Sequence, residues 1–453
     1  MANVEQAEIV KSNKIPPEER SAVDKFFKLT ERGTDAKTEF LAGLTTFVSM
    51  SYIIFVVPDI LSDAGMPHEA SLAATIFVTI IATIVFALWS NFPAAVAPGI
   101  GLVAFFAYTV VGAEGLTWQA GLGAVFISGI AFVILTFSGI RTMIINGIPD
   151  SLKSAITVGI GLFISFLGLK NAGLVVADES NFVAVGDIMT TGPLLAVFGL
   201  ILAAILTAKD VQGGLLISIL ATSILAMILG YTDSPKGISD IFSLDIPNIS
   251  ETLFALDIKG ALSYGVVSII LSFTIVELFD NTGTIIGFAK KAELVDEEGN
   301  IEGIDRALQA DSVCTVLSAT MGGTALNAYA ENATGIAAGG RTGLKALVVA
   351  GFFVLTLFIS PFIAIIPGEA IAPALILVGA FMIPEIKSIE FDDFTTVVPV
   401  LLTIIMMPLT FSIAEGLAFG FISYVLLKLG TGKFNEVHPI MYFVAVAFIF
   451  HFM

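Results

Sequence analysis

Apolar runs of about 18 residues or more recur along almost the whole chain, each long enough for a helix to cross the hydrocarbon layer of a membrane. Only 13% of the 453 residues are charged, 56% are hydrophobic, and the mean hydropathy is +0.95. Soluble domains carry roughly 25% charged residues. A soluble helical protein of this composition would lack the polar positions needed to clothe its surface. The chain therefore reads as an all-α polytopic membrane protein.

Spans are predicted near 39–62, 70–90, 94–112, 117–138, 149–170, 193–208, 212–230, 261–288, 307–322, 323–340, 342–366, 370–384, 394–410 and 412–430, fourteen in all. Several are short for a hydrocarbon core about 30 Å thick. With the N-terminus cytoplasmic, only Lys170, Lys236 and Lys259 of the 21 basic residues fall outside. That bias supports fourteen spans with both ends inside, because cytoplasmic loops carry the excess of Lys and Arg. Arg341 and Lys345 are expected simply to mark the inner end of span ten. The segment 1–38 is then a cytoplasmic N-terminal stretch, with no apolar core or cleavage site of a signal peptide. The apolar tail, 431–453, is expected to lie along the interface as a helix rather than to cross.

The net charge of −18 sits largely in the acidic connections at 178–187, 233–257, 293–305 and 385–393, so it signals neither nucleic acid nor a membrane surface as partner. Cys314 is the only cysteine, which excludes an internal disulfide and a Cys-rich metal site, and three histidines argue against a His-ligated metal. There is no GxxxxGK[ST] loop, HExxH or nucleophile elbow, so ATP-driven transport and hydrolytic chemistry are disfavoured. No cofactor is expected, and the chain does not read as an enzyme.

A weak internal repeat divides the spans as seven plus seven, 39–232 and 261–430. "DVQGGLLISILATSIL" resembles "SIAEGLAFGFISYVLL", and "AVAPGIGL" in span three has its counterpart in "AENATGIAAGG" in span ten. An odd number of spans per repeat inverts the two halves, a common transporter plan.

Two acidic clusters interrupt the apolar pattern. Glu277 and Asp280 lie three apart, on one face of span eight. Asn281, Thr282 and Thr284 continue the polar stripe, and Gly283 thins the helix. Glu331–Asn332 lies in a Gly/Ala-rich stretch that makes a poor helix. A carboxyl group near the bilayer midplane costs at least about 2.5–3.5 kcal/mol, so it normally faces a cavity, a partner or a solute. For Asp280 and Glu331 a solute-binding cavity is expected. Glu277 could equally be hydrogen-bonded to a neighbouring helix. In span three, Pro93, Pro98, Gly99 and Gly101 make a continuous helix untenable. A short extended segment there, opposing the one before Glu331, is the natural partner. Broken backbone is tolerable in a membrane only where it is buried in protein or lines a cavity. Its free amides and carbonyls, with a carboxylate beside them, suit a planar heterocycle with alternating donors and acceptors. Asp59, Asp150 and Glu415 sit at span ends, as interfacial or helix-capping groups.

These stretches resemble the nucleobase–cation symporter-2 superfamily and, within it, the AzgA-like adenine/guanine/hypoxanthine permeases. The resemblance rests on "EFLAGLTTFVSMSYIIFVVPDILSDAGM", "APGIGLVAFFAYTVV", "VELFDNTGT", "ENATGIAAGGRTGL" and "SPFIAIIPGEAIAPALILVGAFM", and covers Phe27 to the C-terminus. It implies fourteen spans in two inverted repeats, core and gate domains, and short strands in spans three and ten that hold a purine. By the same resemblance Asp280 is the span-eight acid that binds substrate and couples protons, with Glu277 where relatives often carry Asp. Glu331 is the acid that hydrogen-bonds the base, with Asn332 beside it, and Thr284, Tyr329 and Ala330 line the pocket. Val103 stands where relatives have Asn, as does Val57 or Val56 in the first span, while "TALNAYAEN" brings in Asn327.

The resemblance implies import of purine bases through the cell membrane with H+ or Na+, by a protein for which a homodimer is plausible. Two rivals stand beside it. An anion carrier of the sulfate or bicarbonate type shares the general fold but would want a positive site, against Glu331. A channel would want a continuous polar file, which the sequence lacks.

Overall fold

The computed structural model describes residues 20–263, 267–296 and 300–452. Side chains at 142, 146, 267, 268, 279, 280, 282 and 451 also fall outside the description, as do residues 1–19 of the N-terminal stretch and the last residue of the tail.

A short helix, α1 (Ala22–Phe27), precedes the first span. That span is two helices rather than one. In α2 (Ala36–Met50) the Asp35 carboxylate caps the start by accepting from the Thr38 N–H at 2.8 Å. The chain then turns at Ser51 and Tyr52 before α3 (Ile53–Asp63), which contains Pro58. After α4 (His68–Ser90) the third span runs extended through β1 (Val96–Pro98), then coils as α5 (Ile100–Ala104) and a wider π-type segment over Phe105–Ala113. The half closes with α6 (Trp118–Phe137), α7 (Ile140–Gly147), α8 (Asp150–Asn171), α9 (Thr191–Ala208) and α10 (Gly214–Ile228). Between α8 and α9 the expected acidic connection is a hairpin, β2 (Val175–Asp178) with β3 (Phe182–Val185).

The second half comprises α11 (Ile258–Ser263), α12 (Val267–Lys291), α13 (Ile304–Thr320), β4 (Leu326–Ala328), α14 (Asn332–Ala337), α15 (Gly343–Thr356), α16 (Ser360–Ile363), α17 (Gly368–Met382), α18 (Phe394–Thr410) and α19 (Ile413–Gly430). The tail adds α20 (Pro439–Ile449). Each predicted span falls on one or more of these elements. Among the described residues, nine helices are long and apolar enough to cross a membrane, and four shorter apolar helices accompany them. α20 is one of those four. Its 11 residues extend about 16 Å, short of a crossing, and Phe448 stacks on Phe421 of α19 at 5.8 Å. Asp150 and Glu415 lie in the first turns of α8 and α19, where a helix N-terminus favours acids.

The helices form two bundles. In the first, α2 to α6 pack with α12, α13 and α15; in the second, α8, α9, α10, α17, α18 and α19 pack on one another. The two meet where α3 touches α17, α5 touches α8, and α12 touches α19.

Inside the first bundle, β1 and β4 pair antiparallel, with Val96 opposite Ala328, Ala97 opposite Asn327 and Pro98 opposite Leu326. Two strands in an apolar interior leave two unpaired edges, each polar group on which costs several kcal/mol if unmet. Side chains close both. On the β1 edge, the Thr83 hydroxyl donates to the Val96 carbonyl at 2.9 Å and accepts from its N–H at 3.1 Å. On the β4 edge, Asn281 donates to the Leu326 carbonyl at 3.1 Å and accepts from the Ala328 N–H at 2.8 Å.

Candidate functional site

The broken spans converge on a cavity of about 150 Å³ at the seam between the bundles. The first bundle contributes Tyr52, Gly99, Ile100, Gly101, Thr284, Asn327, Ala328, Tyr329, Ala330 and Glu331; the second contributes Ile164, Val378, Phe381 and Met382. Drug-sized ligands occupy roughly 300 Å³ or more. This space fits a smaller solute, held between a polar wall and an apolar one.

Each polar group is placed by local chain geometry. Glu331 directly precedes α14, so the end of β4 delivers its carboxylate to the cavity. The Tyr52 hydroxyl, at the interruption of span one, donates to Glu331 Oε1 at 2.8 Å. Tyr329 reaches across the strand pair and donates to the Pro98 carbonyl at 2.5 Å. Gly99 permits the close approach of the two strands, since a Cβ there would lie 2.8 Å from the Asn327 amide.

Of the residues singled out from sequence, Glu331, Thr284, Tyr329 and Ala330 line the cavity together. Thr284 follows Asp280 by one turn of α12, but the Asp280 side chain lies outside the described residues. Val103 is fully buried in α5 and does not itself line the cavity, although Ile100 and Gly101 of the same helix do. Asn332 also stands away from it. Its Oδ1 accepts from the Ala95 N–H at 2.8 Å, and its Nδ2 donates to the carbonyls of Ala95 and Tyr329 at 2.8 and 2.9 Å. Asn332 therefore extends the strand pairing by one residue and holds the wall in place.

Glu277 turns away from the cavity. Its carboxylate accepts from the Thr315 hydroxyl on α13, and the pair is fully buried. Nearby, Arg141 of α7 faces Asp311 of α13 at 3.6 Å and lies over the Phe132 ring at 4.4 Å. Asn281 completes the group by donating to Asp311 while it caps β4. Two acids and one guanidinium thus sit behind the strand pair, linked to it through Asn281.

Lys345 is not the simple marker of a span end that the sequence suggests. It is fully buried, and its ammonium donates to the Pro93 carbonyl at 2.9 Å as well as to Asn332. The equally buried Glu39 accepts from the backbone N–H groups of Arg341 and Lys345 at 2.7 and 3.0 Å. Sequence reasoning missed Tyr52, Lys345 and Asp311 as parts of this assembly. Asp311 offered a signal, an acid inside "ALQADSVCTVLSA"; Tyr52, one aromatic among many, offered none.

The chain matches the model of a permease family, Xan_ur_permease, over residues 37–419. It is 46% identical to a permease of Methanocaldococcus jannaschii over 95% of this chain and 98% of that protein. It is 41% identical to the adenine permease AdeQ of Escherichia coli (95% and 96% covered) and 40% identical to the guanine/hypoxanthine permease PbuO of Bacillus subtilis (93% and 98% covered). Among solved structures, the transmembrane domain of the cyanobacterial bicarbonate transporter BicA superposes with a TM-score of 0.60 at 15% identity, covering 86% of this chain and 97% of that one. The anion transporter SLC26A9 follows at 0.57 and 12%, with 87% and 65% covered. Those two likenesses concern fold alone.

Proposed function

The chain belongs to the permease family whose model it matches, the nucleobase–cation symporter-2 group, and from that premise we propose that it imports purine nucleobases across the cell membrane by proton symport. The observation that carries the proposal is the Glu331 carboxylate, set beside strand ends on a small cavity between two bundles. A carboxylate accepts ring N–H groups, and adjacent backbone amides donate to ring carbonyls. The apolar wall of Ile164, Val378, Phe381 and Met382 suits the faces of a flat ring. The names of the adenine and guanine/hypoxanthine permeases among its relatives support the same class of solute.

In this proposal Glu331 accepts from the base, while Thr284, Tyr329 and Ala330 shape the space around it. Asn332 and Val103 act from behind, the first by holding β1 against β4 and the second by filling α5. Asp280, with Glu277, takes the transported proton. The support for Asp280 is its place one turn before Thr284 on the helix that lines the cavity. The two halves, 39–232 and 261–430, act as inverted repeats, with both chain ends cytoplasmic.

Purified protein in proteoliposomes tests this directly. Radiolabelled hypoxanthine, guanine and adenine are offered with and without an imposed pH gradient, inside alkaline. Uptake driven by the gradient and lost in Glu331→Gln and Asp280→Asn is the expected result. Purine uptake indifferent to both substitutions removes the assigned roles. Competition by bicarbonate or sulfate rather than purines removes the substrate class.

A further inference from the structure

Tyr52 enters the cavity from the interruption between α2 and α3. Its ring is buried, with 1% of the residue exposed, and belongs to the apolar core between α2, α3 and their neighbours. The hydroxyl cannot swing clear without displacing that packing. It points its one proton at Glu331 Oε1. We propose that Tyr52 is a specificity-determining residue: by occupying one oxygen of Glu331, it leaves the other to accept a single N–H from the incoming ring.

The consequence follows from the donor pattern of the bases, and it rests on the purine reading of the cavity given above. Hypoxanthine presents one N–H at the six-membered ring edge, at N1. Guanine presents two adjacent donors on that edge, the N1–H and the exocyclic amino group. Two parallel donors match a carboxylate with both oxygens open, a fork-to-fork arrangement that adds energy and geometry together. With Oε1 already accepting from Tyr52, the second donor of guanine must share that oxygen with the hydroxyl and gains less from it. The hydroxyl therefore levels the two bases. The apolar wall and the strand amides, which are blind to the amino group, contribute to both alike.

Tyr52→Phe removes the hydroxyl and keeps the ring. Competition of radiolabelled hypoxanthine uptake by unlabelled guanine, in proteoliposomes of wild type and variant, reads the ratio of the two affinities. The ratio is expected to shift toward guanine on the order of tenfold in Tyr52→Phe, the usual worth of one hydrogen bond to a charged group. A purely structural role for Tyr52 would weaken both bases equally, and an unshifted ratio overturns the proposal. If the variant fails to fold, the wild type still decides. There the amino group of guanine should add well under about tenfold over hypoxanthine, and a larger preference means both oxygens are open. Wild-type protein that takes up neither base sinks the transport reading and this inference with it. Uptake of both bases, without the shift, sinks only the role of Tyr52.

Discussion

The Lys345 ammonium donates to the backbone oxygen of Asn332 at 2.9 Å and to its side-chain oxygen at 3.3 Å, with neither residue exposed. A third bond, to the Pro93 carbonyl, ties the approach to β1 to the exit from β4. One cation thereby ties the two strands together at the Asn332 end of the wall on which Glu331 stands.

Lys345→Met should therefore damage the site without touching the solute. The stem is kept, but the Pro93 and Asn332 carbonyls lose a buried donor, at about 1–3 kcal/mol each. Thermal unfolding in detergent is expected at a lower midpoint, and uptake at a lower maximal rate. An unchanged midpoint would mean that water replaces the ammonium.

Asn281→Ala strips the β4 edge of its cap. The Leu326 carbonyl and the Ala328 N–H would then be unmet in an apolar interior, again at about 1–3 kcal/mol per group. Uptake should fall at least about tenfold, the equivalent of 1.4 kcal/mol at the site. Asn281→Asp keeps the acceptor for Ala328 but sets a carboxylate against buried Asp311 in place of a donor, so it should be no more active than Asn281→Ala when both are assayed side by side.

Gly99→Ala places a methyl group against the Asn327 amide, 2.8 Å away. Overpacking of that kind costs about 1–3 kcal/mol. Because Gly99 lines the cavity, the expected signature is a KM for uptake raised roughly tenfold, with a smaller change in maximal rate. A KM equal to wild type would show that the strands part freely.

Outside the cavity lining, Asp393 precedes α18 and accepts from Lys428 at 2.8 Å and Lys433 at 2.9 Å. The Lys428 hydrogen bond, then those of Lys433 and Thr395, holds its carboxyl well below the ordinary range. A carboxyl depressed in the folded state stabilises it above the unfolded value, about 3.9, and loses that contribution as pH falls toward the folded one. Asp393→Asn should lower the thermal midpoint at pH 7, and the gap to wild type should narrow below about pH 4. Melting curves across that interval check the sign.

The strands were legible because proline and glycine leave a mark in sequence. Pro93, Pro98, Gly99 and Gly101 announce broken helix, and the stretch around Glu331 does so by its small residues. The interruption at Ser51 and Tyr52 carries no such mark, so the first span looked uniform and its contribution went unseen. Lys345 misled for a different reason. A basic residue near a span end usually reports topology, and only contacts with Pro93, 252 residues away, reveal its burial. Glu277 and Asp280 share a helical face in projection, yet Glu277 is claimed by Thr315 across the helix pair. Which cluster an acid joins depends on partners that local spacing does not encode. Val103 was placed at the site by resemblance alone, and its side chain packs into the core instead.

The sealed edges of the β1–β4 ladder limit how the protein can work. Thr83 and Asn281 each match a particular pair of backbone groups, and the Tyr329 hydroxyl pins the end of the opposite strand. A one-residue slip would mismatch all three at once, so the ladder has no neighbouring stable alignment to visit. Any opening of the cavity must then leave this pairing intact, the two strands shifting as one piece with the helices that cap them.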